Sequence, residues 1–333
     1  MKKPIAIEIL KKIVPKIGAK LIIEPNYQFV GQIIFKNGKK TFFRNTNFNI
    51  NRLGSVEIAR DKDYAKFFLK KFGYPVTLGQ TFFSEKINDN LARAKRRNIK
   101  DGLTYAKKLG FPVILKPNNL SQGSLVGKIY NQQDYYRLAR KILNKTTVML
   151  VEKFYPGFDY RIVVLDQQVI SVYQRLPLYI LGDGRSTIAK LLKTKQTAFA
   201  KAGRDTIIKL DDFRLRMNLN QKKLTLNSII AKNEKIFLLD NANLSTGGEA
   251  LDLTKQIHPE YKKLAINIAR DMDLRLCGVD IITTKDITQP KADYVIIEIN
   301  GAPGLDNYAA MGNQQTKIVE DLYLKVLRAL EKK

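Results

Sequence analysis

Two stretches near the end of the chain decide the fold: Cys277-Gly-Val-Asp-Ile-Ile282 and Tyr294-Val-Ile-Ile-Glu-Ile-Asn-Gly-Ala-Pro-Gly304. Each is a short apolar run that is rich in β-branched residues and bounded by turn formers, which predicts a buried strand. The polar segment 285–292 lies between them and contains Pro290, so it is typical of a loop. Together they predict a hairpin of two buried strands.

Three oxygen-bearing side chains meet on this predicted hairpin. Because side chains alternate along a strand, Glu298 and Asn300 share one face, and folding the hairpin brings Asp280 roughly opposite Glu298. Burying two carboxylates that close together is costly unless a cation neutralises them. Carboxylate and amide oxygens suit Mg²⁺, which takes one or two carboxylates and leaves other positions to water and phosphate. The pattern predicts a metal site; the alternative is an exposed hairpin end with ordinary acids.

Composition limits the class of protein. The chain has 333 residues, of which 44% are hydrophobic and 27% charged, and it has one cysteine. This length allows about two or three compact subdomains, and the composition is that of a soluble globular protein. No apolar run approaches the ~18 residues of a membrane span, so we expect no membrane partner. Cys277 lies in a predicted strand and has no partner for an internal disulfide, which fits a cytoplasmic location.

The net charge of +27 raises the question of nucleic-acid binding. Lysine and arginine are spread along the whole chain, and no zinc-finger spacing, aromatic ribonucleoprotein motif or basic heptad region accompanies them. We therefore do not expect a nucleic-acid partner, although a basic nucleic-acid-binding protein stays as the weaker alternative. An anionic substrate, such as ATP with an acidic peptide, would benefit from the positive field.

Local patterns outline the elements before the hairpin. Residues 56–72 have helical periodicity and end at Gly73, a good helix stop. Residues 195–235 have no pattern that we can interpret. A turn at Asn37-Gly38 predicts a small meander near the start of the chain, formed by residues 21–24, 29–35 and 40–44.

A Gly/Ser segment is the candidate phosphate contact. Gly123 and Gly127 let backbone amides approach an anion closely, and Ser121 and Ser124 add hydroxyl donors. Lys116, at the end of the preceding predicted strand, supplies a positive charge. Neither the Walker pattern nor the dinucleotide-binding G-x-G-x-x-G pattern occurs, and a Gly/Ser segment taken alone is usually just a turn.

The stretch Val148-Met-Leu-Val-Glu-Lys-Phe-Tyr155 is the candidate purine contact. It is an apolar strand that ends in Glu152 and Lys153, which could offer backbone groups and a carboxylate to a base. Asp159 could accept hydrogen bonds from ribose hydroxyls. Taken alone, such a segment is more often simply a core strand.

In combination, these motifs resemble the ATP-grasp ligases, and specifically the ATP-grasp modules of cyanophycin synthetase and the bifunctional glutathione synthetases. The resemblance covers roughly residues 29–330 and is limited to those modules. We therefore expect neither the complete activity of cyanophycin synthetase nor that of a bifunctional glutathione synthetase. Its ordered segments are Ser55-Val-Glu-Ile-Ala-Arg-Asp-Lys62, Phe72-Gly-Tyr-Pro-Val76, Phe111-Pro-Val-Ile-Leu-Lys-Pro117, Val151-Glu-Lys-Phe-Tyr-Pro-Gly-Phe-Asp159, Gln174-Arg-Leu-Pro177, Gly182-Asp-Gly-Arg-Ser-Thr-Ile188, Ala242-Asn-Leu-Ser-Thr-Gly-Gly248 and the predicted hairpin.

The resemblance implies an α+β fold class: an ATP-grasp fold in which two α+β subdomains grip ATP, with a small N-terminal extension. Residues 1–54 would form that extension as a helix and a small β meander. Residues 55–147 would form the N-terminal subdomain, and residues 148–333 the C-terminal subdomain with the metal site. Members of the family are often dimers or tetramers, so a homo-oligomer is a further expectation.

The resemblance also implies roles by position. Lys62 and Lys116 would hold the α- and β-phosphates of ATP. The residues that would close over the phosphates are Gln122, Gly123, Ser124 and Val126. Those that would bind adenine and ribose are Glu152, Lys153, Tyr155 and Asp159. Those that would hold two Mg²⁺ ions, with Mn²⁺ as an alternative, are Asp280, Glu298 and Asn300.

The implied chemistry is that of an ATP-dependent ligase that forms carbon–nitrogen bonds, acting on an amino acid or a short peptide. A carboxylate would take the γ-phosphoryl group to give an acyl phosphate, and an amine would then displace phosphate to form an amide. Such a reaction needs positioning and charge neutralisation rather than a protein nucleophile. Arg161 and Arg175 are candidates to steady the acyl phosphate, or else surface salt-bridge partners. An ATP-dependent phosphotransferase on the same scaffold is the other alternative.

Overall fold

The computed structural model describes residues 5–121, 123–202, 204 and 206–332. Their α-helices are α1 (Ile5–Ile13), α2 (Leu53–Arg60), α3 (Lys62–Lys71), α4 (Glu85–Asn88), α5 (Ile99–Leu109), α6 (Gln132–Lys145), α7 (Ile188–Lys201), α8 (Phe213–Gln221), α9 (Pro259–Asp271), α10 (Asp306–Ala309) and α11 (Asn313–Lys332). Their strands are β1 (Lys20–Ile23), β2 (Val30–Ile34), β3 (Lys40–Arg44), β4 (Asn47–Phe48), β5 (Gly79–Phe83), β6 (Val113–Pro117), β7 (Gly127–Ile129), β8 (Val148–Lys153), β9 (Phe158–Leu165), β10 (Gln168–Leu176), β11 (Tyr179–Leu181), β12 (Lys235–Phe237), β13 (Glu249–Asp252), β14 (Leu276–Thr283) and β15 (Tyr294–Asn300).

The predicted meander near the start of the chain is confirmed. It is an antiparallel sheet in the order β1-β2-β3-β4, and Gly38 takes the left-handed conformation (φ +81°) in the turn between β2 and β3. Side chains on its inner face, such as Ile33 and Phe43, pack in one core with α1 and α11. The N-terminal segment therefore shares its core with the C-terminal helix.

The helix predicted over residues 56–72 is two helices, α2 and α3, with a break at Asp61. Asp61 has an extended backbone (φ −86°, ψ 110°), and its Oδ1 accepts hydrogen bonds from the backbone N–H groups of Asp63 and Tyr64. Aspartate is a favoured N-cap because its carboxylate satisfies such orphan donors. The prediction of one continuous helix was wrong because periodicity alone does not register an internal cap.

One central sheet has the order β5-β8-β6-β7, and α5 and α6 pack on it. Strand β8 pairs with β5 and β6, so residues Val148–Lys153 belong to the same sheet as the candidate phosphate strand β6. This pairing places Leu150, in the middle of β8, beside Lys116, and it places Glu152 beside Ile114. The predicted boundary between the two subdomains, after residue 147, stays a prediction. Strand β8, which follows this boundary, is hydrogen-bonded in the sheet of the strands before it.

The other central sheet has the order β13-β10-β9-β14-β15, with every neighbouring pair antiparallel. The predicted hairpin is its β14–β15 edge, and the register pairs Asp280 with Glu298 and Gly278 with Asn300. Helices α2, α3 and α9 cover one face of this sheet, and α1, α10 and α11 cover the other. The helices mix with antiparallel sheets, which confirms the α+β class.

Residues 195–235, which had no interpretable pattern, include the end of α7 and all of α8, next to the two-stranded sheet β11-β12. Helix α8 has apolar residues on two faces: Phe213 and Met217 join the core of the β5-β8-β6-β7 sheet, while Leu215 and Leu219 join the core of the β11-β12 sheet. A helix buried on two sides lacks the single apolar stripe that helical periodicity detects. Within the described ranges, no helix is long and apolar enough to span a membrane.

Candidate active site

A polar cavity of about 550 Å³ opens where the β14–β15 hairpin meets α2 and α3. The N-terminal sheet adds part of its wall, through Asn45 and Asn47. Six residues that the sequence singled out line this cavity: Lys62, Ser121, Arg161, Arg175, Glu298 and Asn300. The structure thus brings together the predicted metal ligands that face the cavity, one predicted phosphate lysine and both predicted arginines.

Asp280 lies beneath the cavity and is fully buried. Its carboxylate accepts hydrogen bonds from Arg161 Nε (2.7 Å) and Nη2 (2.6 Å) and from Arg175 Nη1 (2.9 Å). The two guanidinium groups therefore supply positive charge next to Asp280, where the sequence predicted a metal ion. Both arginines are themselves buried among carboxylates, so they are not surface salt-bridge partners.

Asp159, the predicted ribose ligand, pairs with the second of these arginines. Arg175 Nε and Nη2 donate to Asp159 Oδ1 at 2.8 and 2.6 Å. Burial raises the pKa of Asp159, and the neighbouring Arg175 offsets part of that rise. A carboxylate held in this way retains its second oxygen, Oδ2, for which the structure records no hydrogen bond with the residues described.

Glu298 faces the cavity with a quarter of its side chain exposed. Lys62 Nζ lies 3.5 Å from its Oε2, Arg161 Nη2 lies 3.7 Å from its Oε1, and Asn300 Nδ2 donates to Oε1 at 3.2 Å. Although burial opposes ionisation, the lysines and arginines around it hold the pKa of Glu298 well below its usual range. Glu298 is therefore an anion at any physiological pH.

The oxygen donors of the hairpin fit a magnesium ion. Two carboxylates and one amide oxygen stand on paired strands, and Glu298 and Asn300 line the cavity. The described residues contain no cluster of three or more His, Cys, Asp or Glu side chains that could hold a metal alone. Mg²⁺ uses few protein carboxylates and takes its remaining ligands from water and phosphate. The assignment of Asp280, Glu298 and Asn300 to the metal stays a prediction.

Lys62 is fixed by the cap at the start of α3. Asn118 Nδ2 donates to Asp61 Oδ2 (2.6 Å), and the backbone N–H of Asp63 donates to Asn118 Oδ1 (3.1 Å). These bonds tie the first turn of α3 to the end of β6, and Lys62 Nζ donates to the carbonyls of Asn118 (3.3 Å) and Leu120 (2.9 Å). The ammonium group is thereby held between the cavity and the candidate phosphate segment.

A buried charge cluster lies beside Lys62. Lys116 Nζ is 2.9 Å from Glu152 Oε2, and Lys66 Nζ contacts Glu152 Oε1. Burial lowers the pKa of Lys116 to about 7 and lowers that of Lys66 as well. Glu152, predicted to approach adenine, is almost fully buried between these two lysines. Lys66 was not predicted from the sequence, although its spacing of four residues from Lys62 places both on one face of a helix.

The other two predicted adenine residues lie at the end of β8. The backbone N–H of Lys153 donates to the carbonyl of Leu78 (2.8 Å), and the backbone N–H of Leu78 donates to Tyr155 Oη (3.3 Å). The ammonium group of Lys153 lies 5.8 Å from the centre of the Tyr155 ring. These two residues do not line the cavity. They lie beside Leu78, whose side chain is exposed.

Ser121, at the start of the predicted phosphate segment, lines the cavity, while the residues after it contact the rest of the protein. Gly123 has a left-handed backbone (φ +63°), and its carbonyl accepts from the backbone N–H of Val126 (3.3 Å). Ser124 lines a second cavity, between this segment and α8. Gln122 lies outside the described residues. Arg214 of α8, which the sequence analysis missed, donates to two carbonyls of this segment.

Comparisons with known proteins define the class to which this geometry belongs. Residues 231–322 match the family model of the RimK-like ATP-grasp domain. The crystal structure of a bifunctional glutathione synthetase from Pasteurella multocida aligns over 97% of this chain and 44% of that chain, with a TM-score of 0.59 and 23% sequence identity. The chain therefore has the ATP-grasp fold, and residues 231–322 belong to the RimK-like ATP-grasp family.

Sequence relatives narrow the resemblance. The chain is 33% identical over 273 residues to cyanophycin synthetase from Crocosphaera subtropica, a match that covers 79% of this chain and 29% of that protein. It is 31% identical over 296 residues to the glutathione biosynthesis bifunctional protein from Streptococcus mutans, which covers 85% of this chain and 37% of that protein. The resemblance to these two groups is confirmed, and the chain spans about a third of the length of each relative.

Proposed function

We propose that the protein is an ATP- and Mg²⁺-dependent carboxylate–amine ligase that forms an amide bond through an acyl phosphate. The observation that carries this proposal is the meeting of Lys62, two guanidinium groups and Glu298 around one cavity, with Asp280 beneath it and two further buried lysines beside Lys62. Such an arrangement neutralises the charge of a phosphoryl group in transfer, and it contains the oxygen donors that a phosphate-bound metal takes.

The lysines would bind the triphosphate of ATP. Lys62 and Lys116 stand at the end of β6, and Lys66 lies one helical turn from Lys62. Lys66 and Lys116 share the single carboxylate of Glu152, so a bound triphosphate would supply the further negative charge that favours their ammonium forms. The base would lie towards Lys153 and Tyr155, and the ribose beside Asp159.

Asp280, Glu298 and Asn300 would hold the magnesium ions. When bound, these ions would supply positive charge that stabilises the negative charge developing on the transferred phosphoryl group. Arg161 and Arg175 would contact the oxygens of the transferred phosphoryl group and of the acyl phosphate. Because Asp280 and Asp159 already fix both guanidinium groups, no reorganisation is needed as negative charge develops.

Bonds and charges balance in two steps. A carboxylate oxygen of the first substrate attacks the γ-phosphorus, the bond to the bridging oxygen breaks, and ADP leaves. The nitrogen of an amine then attacks the acyl carbon, the carbon–oxygen bond to phosphate breaks, and inorganic phosphate leaves as the nitrogen loses a proton. Both steps depend on positioning, since neither forms a bond to the protein.

The substrate is an amino acid or a short peptide. The cavity has several asparagine side chains, which donate to and accept from amide and carboxylate groups. They come from the N-terminal sheet, from the loop after β6, from the loop before β13, from the end of β15 and from the segment after it: Asn45, Asn47, Asn119, Asn243, Asn300 and Asn307. We also propose that residues 1–54 act as an extension to the two gripping subdomains, and that the enzyme works in the cytoplasm, where its buried Cys277 stays reduced.

A screen of ADP release tests the proposal. The purified chain is incubated with ATP, Mg²⁺ and pairs of amino acids or short peptides, and products of each active pair are identified by mass spectrometry. We expect ADP only when a carboxylate and an amine substrate are both present, together with an amide product. A phosphorylated product without an amide would indicate the phosphotransferase. Steeply salt-dependent nucleic-acid binding that survives Glu298→Gln, with no ADP from any pair, would indicate the nucleic-acid alternative.

A further inference from the structure

The turn formed by residues 123–126, called here the glycine turn, is held by an arginine that is distant in sequence. Arg214 Nη1 donates to the carbonyl of Gly123 (3.0 Å) and to the carbonyl of Val126 (3.1 Å). These two carbonyls belong to the first and last residues of the turn. One guanidinium group therefore fixes both ends of the segment that the proposed function places over the phosphates of ATP.

The glycine turn needs support from outside because its backbone is strained. Leu125 has a left-handed backbone conformation, with φ +56°. A side chain with a Cβ is disfavoured there by its contact with the following carbonyl, and leucine has no polar group to compensate. Such conformations persist where the surrounding structure holds them in place. The two hydrogen bonds from Arg214 are contacts of that kind.

Arg214 is itself held rigidly. Its Nη2 donates to Asp212 Oδ2 (2.7 Å), and its Nε donates to Asp212 Oδ1 (3.1 Å). Asp212 is also the N-cap of α8, since its Oδ1 accepts from the backbone N–H of Arg214 (2.9 Å). Although burial opposes ionisation, the bonds from Arg214 lower the pKa of Asp212. The guanidinium fork therefore has a fixed orientation relative to α8.

Helix α8 is anchored in two different cores. Phe213 and Met217 pack with the β5-β8-β6-β7 sheet, and Lys141 of α6 stands 4.2 Å from the centre of the Phe213 ring. Leu215 and Leu219 pack with the small β11-β12 sheet. Because one face of α8 belongs to each core, the position of the glycine turn depends on the packing of both.

We propose that Arg214 is a positioning residue for ATP, which acts by holding the glycine turn where it covers the phosphates. The inference rests on the proposed function for the identity of the nucleotide, and its structural part stands without it. It gives the part of the chain around α8 a role in nucleotide binding, although Arg214 itself does not line the main cavity.

Arg214→Gln tests this role, and Arg216→Gln is the matched control, because Arg216 is exposed on the same helix two residues further on. We expect Arg214→Gln to weaken ATP binding about tenfold, the effect of losing charge-assisted hydrogen bonds that position a ligand-binding segment. KM for ATP should rise more than kcat falls. Hydrogen exchange of the amides in residues 123–126 should speed up in Arg214→Gln and stay at the native rate in Arg216→Gln.

Arg214→Lys and Asp212→Asn complete the series. Lysine keeps the charge but presents a single point donor instead of a fork, so we expect an intermediate loss of ATP affinity. Asp212→Asn retains the arginine and releases its orientation, and it tests the same role if Arg214→Gln does not fold. Equal exchange rates and equal ATP affinity in Arg214→Gln and Arg216→Gln would overturn the inference. Exchange and ATP binding require no ligation, so a failure of the ligase assignment would be seen separately.

Discussion

Asp280 is the residue on which the charge balance of the site depends. It is fully buried and shared by two guanidinium groups, and one of these, Arg175, also pairs with Asp159. Removing one partner from a buried ionic network leaves uncompensated charge in a medium that solvates it poorly. Asp280 therefore has a structural role in the free protein as well as the role we propose for it in metal binding.

Asp280→Asn should lower the free energy of unfolding by about 3–5 kcal/mol, because both arginines lose a buried counter-charge. Urea unfolding, extrapolated to water, measures this change. Asp273→Asn is the control: Asp273 pairs with Arg52 at 3.4 Å on the surface, with 60% of its side chain exposed. A surface pair of this kind contributes about 0–1 kcal/mol. Equal losses in the two variants would contradict the buried network.

Lys116 should take up a proton when ATP binds at pH 8. In the free protein, burial holds its pKa at about 7, so the side chain is mostly neutral at that pH, and a bound triphosphate would raise the pKa and favour the ammonium form. Calorimetric titration in two buffers of different ionisation enthalpy measures the uptake, which should approach about one proton from this site. Lys116→Arg is permanently cationic and should reduce the uptake, and an unchanged uptake in that variant would argue against the assignment.

The lowered pKa of Lys116 also determines how the free energy of unfolding depends on pH in the absence of ATP. The unfolded chain keeps this proton up to the ordinary lysine pKa of 10.5, whereas the folded chain releases it near pH 7. The unfolded state therefore binds more protons between these values, so the contribution of Lys116 to the free energy of unfolding rises with pH across that window.

At the level of elements, the start of α3 contains both a helix cap, Asp61, and Lys62, the lysine that is predicted to bind phosphate. Asp61 caps α3 and accepts a hydrogen bond from Asn118 at the end of β6, and Lys62 follows it directly. The position of Lys62 thus depends on a helix cap rather than on packing of the lysine itself.

Asp61→Ala should cost about 1–2 kcal/mol of stability, the usual loss for an N-cap, and should also weaken ATP binding because Lys62 loses its fixed position. Thr187→Ala is the matched control. Thr187 caps α7 by accepting from the backbone N–H of Lys190 (3.3 Å), away from the cavity. A similar loss of stability with unchanged ATP affinity is expected there. If both variants bind ATP equally well, the cap does not position Lys62.

Elements with a clear local pattern could be predicted from the sequence. The β14–β15 hairpin and its register, with Asp280 opposite Glu298, follow from strand alternation, and the N-terminal meander follows from its turn residues. The break at Asp61 and the two-faced helix α8 could not be predicted, because a cap and a second buried face depend on partners that are distant in the chain.

The site, like the fold, could be predicted only where its residues follow from a local pattern. Residues on the hairpin and on β6 follow from local pattern, but the pairing of Arg161 and Arg175 with Asp280 and Asp159 depends on the alignment of three neighbouring strands. Arg214 reaches the glycine turn across 91 positions of sequence, and no local signal indicates such a contact.

At the scale of the whole molecule, the N-terminal segment is part of a larger core. Leu10 of α1 is fully buried in a cluster that also contains Val326 and Leu327 of α11 and Val163 of β9. The predicted extension, residues 1–54, therefore does not have a core of its own within the described residues, and its folding should be coupled to that of the C-terminal helix.

Leu10→Ala should lower the free energy of unfolding by about 2–5 kcal/mol, the cost of a large-to-small change in a packed core. Because the core is shared, we expect the main unfolding transition to shift rather than a minor early transition to separate from it. Leu53→Ala, at a side chain that is 76% exposed, is the control and should change stability by less than about 0.5 kcal/mol. A separate early transition for Leu10→Ala would indicate an independent N-terminal domain.

The proposed ligase activates a carboxylate by phosphoryl transfer, and the transfer of an oxygen isotope from substrate to phosphate reports that step. A carboxylate substrate found in the ADP screen is labelled with oxygen-18 in its carboxyl group and turned over with ATP and an amine, and the released phosphate is analysed by mass spectrometry. Because the acyl carbon–oxygen bond breaks when the amide forms, the account predicts one labelled oxygen in each phosphate. Phosphate without the label, accompanied by ADP, would contradict an acyl phosphate and with it the ligase that we propose.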